Sequence, residues 1–217
     1  MLLRARQTIV FEGDSLTSRR TPTGDTWPFL RLANWHHDYP DLVGEWLFCN
    51  LPHLNVKVRS AAVGGSSIDD LHDRYDRAVA PLNPDLLVLT IGNNDPHRGP
   101  LDHFERRFDA YLDRLPCPVL YVGNFEPCPG ADDTVVERGA ASKPYNAAAA
   151  ERVVSRGGHF LDVGPKLRAK AEALYAQSSY HKIYAEGRHF NAVGSSVLAG
   201  LVLAALGAFE AYAAGEG

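Results

Sequence analysis

Acyl transfer needs a nucleophile, a base, an acid that orients the base, and hydrogen-bond donors for the oxyanion. The 217-residue sequence offers each of these at widely separated points. Ser15 stands in Gly13-Asp14-Ser15-Leu16-Thr17, directly after an apolar run. Gly64-Gly65-Ser66-Ser67 follows a second run, and paired glycines let a backbone N–H approach a ligand closely. Gly92-Asn93-Asn94-Asp95-Pro96 follows a third, and an Asn amide there can donate to a developing negative charge. Near the C-terminus, Glu186 precedes His189 by three residues, a spacing that lets a carboxylate orient an imidazole and stabilise its charged form. Taken singly, each has a plainer use. A Ser after a strand is most often a helix cap, Asn-Asn-Asp-Pro builds turns, and one of nine histidines is weak evidence. Together they form the inventory of a serine hydrolase, and the order Ser, acid, His is one that convergent triads use. Ser15 is not in a G-x-S-x-G elbow, because Thr17 replaces the second glycine, and no phosphate-binding loop is present.

Positioning these groups falls to short strands alternating with helices. Strands are expected over 7–12, 56–63, 85–91, 119–125 and 159–163; most are nearly continuously apolar, as in strands buried on both faces. Helical patterns cover 41–48, 68–79, 101–115 and 145–155, and a final helix begins near Asn191. The β-α alternation implies a parallel sheet covered on both faces, a three-layer α/β/α sandwich. Five strands fit a flavodoxin-like sheet of order 2-1-3-4-5, in which ligands bind beyond the carboxyl ends of the strands. Every residue singled out above follows a strand or precedes the last helix.

Length and composition fit one domain over 1–217 with its own core. With 22 basic and 26 acidic residues the net charge is −4, which argues against a nucleic-acid partner. Three cysteines at no metal-ligand spacing argue against a disulfide framework and point to a reducing, cytoplasmic setting. His36-His37 has no carboxylate or Cys partner at ligand spacing, so no metal is expected. The uncharged run 192–209 is about long enough to graze the transmembrane threshold. It is rich in Ala, Gly and Ser and lacks a flanking basic cluster, so a buried helix is expected in place of stable membrane insertion. A base at His189 requires its neighbourhood to dock at the sheet's carboxyl edge, with Asn191 or Ser195 capping that helix.

GDSL at 13–16, GG at 64–65, GNND at 92–95 and EGRH at 186–189 resemble, in order and spacing, the four blocks of the GDSL, or SGNH, hydrolases. The resemblance spans nearly the whole chain. It implies that Ser15 is the nucleophile, that His189 is the base, and that Glu186 occupies the acid's position. It also implies an oxyanion hole made by the N–H groups of Ser15 and Gly65 and the amide of Asn94, with no cofactor. Two positions depart from the family pattern. Glu186 stands where Asp is usual, one methylene further from its backbone, and Ser60 stands where many members carry Asn, which touches the local support of the Gly65 turn.

The layout resembles the bacterial GDSL members that deacetylate carbohydrates, so the expected substrate is a short-chain, acetyl ester of a carbohydrate or similar polar alcohol. Arg19 and Trp27, in the polar and aromatic segment 17–39, and His97, after the Asn block, are candidate substrate contacts. The same site could serve a thioesterase, lysophospholipase or acyltransferase, and a catalytically silent binding module is the alternative from another class. A homo-oligomer is compatible with all of these.

Overall fold

A strand buried on both faces must be apolar at every position, and the central strands meet that demand. The computed structural model describes residues 1–18, 38–127, 132–177, 183–186 and 189–215. In it β1 (Thr8–Gly13), β3 (Leu86–Thr90) and β4 (Val119–Gly123) are buried almost throughout. β2 (Lys57–Ser60) and β5 (His159–Asp162) are the edges and are half-exposed. The five strands form one parallel sheet of order β2-β1-β3-β4-β5, as the alternation required. Beyond β2 the chain stays bonded to β1, through Ala61 N–H to Phe11 and Val63 N–H to Gly13.

Side chains alternate across the sheet and divide the core in two. Ile9, Phe11, Leu86, Val88, Leu120 and Val122 face α1 (Tyr39–Asn50), α5 (Gly164–Gln177) and α6 (Ala192–Leu206). Val10, Leu87, Leu89, Val119 and Tyr121 face α2 (Ile68–Arg74), α3 (Leu101–Leu112) and α4 (Asp133–Ser155). The result is the expected α/β/α sandwich. The segment expected as one helix over 68–79 gives way, immediately after Arg74, to a π turn over Tyr75–Val79. The helix expected over 145–155 starts much earlier, at Asp133, capped by the Asp132 carboxylate on the Val135 N–H. Gly139 and Pro144, which argue against helix in the sequence, lie within it.

Residues 192–209 divide into two helices. α6 is capped by Asn191, whose side chain accepts from the Gly194 N–H at 3.0 Å, and it ends at Gly207 in the left-handed conformation. Ser195, Leu198, Ala199, Val202, Leu203 and Leu206 are buried on one side of it, a helical spacing that packs against α1 and the sheet. α7 (Ala208–Gly215) departs at 65°. Among the described residues, no single helix is long and apolar enough to cross a membrane.

Candidate active site

The site lies beyond the carboxyl ends of β1 and β3, where two backbones approach closely. Gly13, at φ +149°, closes β1 against β3; a Cβ there would stand 2.1 Å from the Thr90 carbonyl oxygen. Only glycine fits such a contact. Asp14 then folds the chain back on itself. Its carbonyl accepts from the N–H of Thr17 and of Ser18, and its carboxylate accepts from the Leu16 N–H at 2.9 Å. This turn holds Ser15, half-buried, at the sheet's edge.

His189 arrives from the far end of the chain on a short hairpin, β6 (Tyr184–Glu186) and β7 (His189–Phe190). Its Nε2 lies 2.9 Å from Ser15 Oγ. Glu186 is the register partner of His189 across the hairpin; the Glu186 side chain is outside the described part of the structure. The hairpin is tied to α6, since Asn191 donates its N–H to the Ile183 carbonyl while capping the helix. The C-terminal helix thus holds the histidine in place.

Gly65 has φ +80°, a conformation that favours glycine, and the space where a Cβ would project is open to 4 Å. Among the described residues, no acceptor is bonded to the N–H of Ser15 or of Gly65. Asn94 directs one hydrogen of its amide to the Ser66 carbonyl at 3.0 Å. The loops that carry Gly65 and Asn94 are therefore joined directly, and the Gly65 loop is joined to β1 by the bond from Val63 N–H to the Gly13 carbonyl at 3.1 Å.

Beneath these groups lies a polar layer that the sequence reading did not single out. Asn93 donates to the Asp14 carboxylate at 2.9 Å. Asp95 accepts from the N–H of Ile68 at 2.8 Å and of Gly92 at 3.2 Å, so it ties the Asn block to the start of α2. Burial raises its carboxyl to about 7, and the nearby Asp14 charge adds to the rise, against the lowering effect of the backbone donors. Asn146, from α4, accepts from the Asn124 N–H and donates to the Ser142 carbonyl. On the other side of the Ser15 turn, Glu12 and Arg74 form a buried ion pair, and desolvation drives the Glu12 carboxyl upward. A charged residue inside a strand covered on both faces needs a partner, and that was the available signal for Glu12.

The remaining sequence candidates are placed less closely. His97 is exposed in the short turn after Asn94. Arg19, Trp27, His36 and His37 lie outside the described residues. No cluster of three metal-ligating side chains occurs among the described residues. Leu16, Asn93, Phe125, Pro127 and Ser142 line a cavity of about 10 Å³ beside the Ser15 turn. A larger cleft of about 350 Å³ lies at the opposite edge of the sheet, lined by Leu115, Cys117, Val119 and Gly158, and holds none of the candidate residues.

Comparison with known proteins agrees with the fold. A solved structure of an acetylxylan esterase from Geobacillus stearothermophilus superposes with a TM-score of 0.74 at 19% identity, covering 95% of this chain and 97% of that one. A GDSL-like lipase structure from Parabacteroides merdae, itself described as putative, gives 0.75 at 18% identity over 94% and 97%. An α/β hydrolase from the metagenome of Lake Arreo gives 0.69 at 23% identity over 95% and 98%. In sequence, an acetylxylan esterase of Geobacillus stearothermophilus is 30% identical over 115 residues, 52% of this chain. That match spans 51% of the relative's own length. The model of the GDSL-like lipase/acylhydrolase family matches residues 11–197, and the chain belongs to that family.

Proposed function

We propose that the protein hydrolyses carboxyl esters through an acyl-enzyme, and that its substrates are acetyl esters of a carbohydrate or similar polar alcohol. The observation that carries this reading is the 2.9 Å contact between Ser15 Oγ and His189 Nε2, made across the whole length of the chain. With Nε2 as acceptor, His189 takes the hydroxyl proton as Oγ bonds to the ester carbon. The tetrahedral oxyanion is then held by the N–H groups of Ser15 and Gly65 and by the second amide hydrogen of Asn94. Collapse breaks the ester C–O bond, and His189 passes its proton to the departing alcohol. Water, deprotonated by the same imidazole, then releases the acid and restores Ser15.

Glu186 is proposed to orient His189 from the facing strand. Among the neighbour's solved catalytic mutants, one replaces an aspartate and another a histidine three positions later, the spacing of Glu186 and His189. Glu186→Gln is expected to lower kcat more than it alters KM; an unchanged kcat would remove it from the triad. The acetyl preference is supported by the acetylxylan esterases among the chain's relatives. Arg19, Trp27 and His97 are proposed to face the alcohol portion.

The test is an acyl-length series of nitrophenyl esters on the wild type and on Ser15→Ala. A maximum at acetyl, abolished in the variant, is expected. A maximum at about eight carbons or more would transfer the site to lipid substrates, and no hydrolysis at any length would overturn the esterase reading.

A further inference from the structure

Ser60 stands where the family pattern places an amide, so the Gly65 loop must be supported from elsewhere. The support comes from Arg74, at the last position of α2, where the helix widens into the π turn. The Arg74 side chain is 9% exposed, and its Glu12 partner is fully buried. One terminal nitrogen meets the Glu12 carboxylate and donates to the Gly13 carbonyl at 2.9 Å. The other donates to Ser66 Oγ at 2.7 Å. The Ser66 hydroxyl in turn donates to the Val63 carbonyl at 2.6 Å, which closes the Gly64-Gly65 turn from below. The same Ser66 accepts the Asn94 amide on its carbonyl oxygen.

We propose that Arg74, acting through Ser66, is the positioning residue of the oxyanion hole. A single planar guanidinium bonds the residue two before Ser15 and the residue directly after Gly65, and through Ser66 reaches Asn94. It therefore sets the spacing of all three donors, which belong to three separate β-α connections. Glu12 holds the guanidinium in place from behind: the oxygen that meets Arg74 also accepts from the Gly13 N–H at 2.8 Å. Lysine could keep the charge beside Glu12, but its single nitrogen lacks the rigid fork that spans two loops. The fork's geometry, more than its charge, is what the site uses. Such a role shows in the transition state, because the donors meet full negative charge only there.

This inference rests on the esterase reading, and the test separates the two. Ser66→Ala removes the link to the Gly65 loop while leaving the Arg74–Glu12 pair whole; Arg74→Lys removes the fork. Rates on nitrophenyl acetate are divided by the number of active sites, titrated with a fluorophosphonate, so that any unfolded fraction drops out. Ser66→Ala is expected to lose about tenfold in kcat with KM within about twofold, and Arg74→Lys more than that. Affinity for a boronic acid, which forms a tetrahedral adduct on the serine, should fall in Ser66→Ala by about the same factor as kcat. Wild-type kcat per titrated site in Ser66→Ala, or a loss carried by KM alone, would overturn the positioning role and leave the esterase intact. A wild-type protein with no hydrolysis would overturn the esterase reading and this inference with it.

Discussion

Replacing Asn94 by Ala separates two uses of one side chain. The Nδ2 group carries two hydrogens, and one is engaged by the Ser66 carbonyl at 3.0 Å. That bond pins the amide, so in the proposed mechanism the second hydrogen is aimed without a search at the moment the oxyanion forms. Loss of one oxyanion donor typically removes about 2.7–4 kcal/mol of transition-state stabilisation, or roughly 10²–10³ in kcat. Loss of the bond to Ser66 should cost about 1 kcal/mol of folding stability, a drop of about 2–4 °C in Tm for a domain of this size. The assay is nitrophenyl acetate hydrolysis across a full substrate range, with thermal unfolding of the same samples. KM should change little, because the donor acts on charge that develops after binding. A kcat within about threefold of wild type, in a variant that has lost the expected stability, would refute the reasoning. It would show that Asn94 serves the loops and not the oxyanion.

Four further outcomes follow from the same structure. Burial raises the Asp95 carboxyl to about 7 against an ordinary 3.8, so between about pH 4 and 7 the folded protein favours a proton there that the unfolded chain gives up. Its contribution to stability is therefore full below about pH 4 and lost as pH rises to about 7, by on the order of 4 kcal/mol in total. Urea unfolding of Asp95→Asn against wild type should shift in favour of the variant across that window, and parallel pH profiles would contradict the assignment. Gly13→Ala should abolish soluble folded protein or activity, because the new methyl would meet the Thr90 carbonyl at 2.1 Å; circular dichroism and ester hydrolysis indistinguishable from wild type would show that β1 and β3 can separate. Leu198→Ala, in the buried stripe of α6, should cost about 2–5 kcal/mol, and ending the chain before Asn191 should remove fold and activity together; a folded, active truncation would show that α6 is dispensable.

What the sequence made legible follows from how each residue is satisfied. β1, β3 and β4 are read from continuous apolar runs because both faces are covered, and that pattern has few other uses. Ser15 and His189 are read because the chemistry needs both, although nothing local indicates that 174 residues of separation close to 2.9 Å. The first half of α4 is hidden by Gly139 and Pro144. Gly139 belongs there because Pro127, from the loop after β4, presses against it, a contact with no trace in local sequence. α5 is different: Leu167, Ala171 and Leu174 recur at helical spacing along residues 164–177 and pack into the core, a signal that the expected helices do not include. Arg74 reads as an ordinary helical surface charge until Glu12, 62 positions earlier, is placed beside it. Asn93 and Asn94 differ by one position and nothing in composition, yet one faces Asp14 in the interior and the other Ser66. Only the turn after β3 separates their tasks.

The central claim is that Ser15 is a nucleophile activated by His189. It is tested most directly by reacting the intact protein with a fluorophosphonate and locating the adduct by mass spectrometry. One adduct per chain on Ser15 is predicted, absent in Ser15→Ala and strongly slowed in His189→Ala, whose fold should persist. A folded wild-type protein that takes no label, or takes it at another residue, would contradict the account.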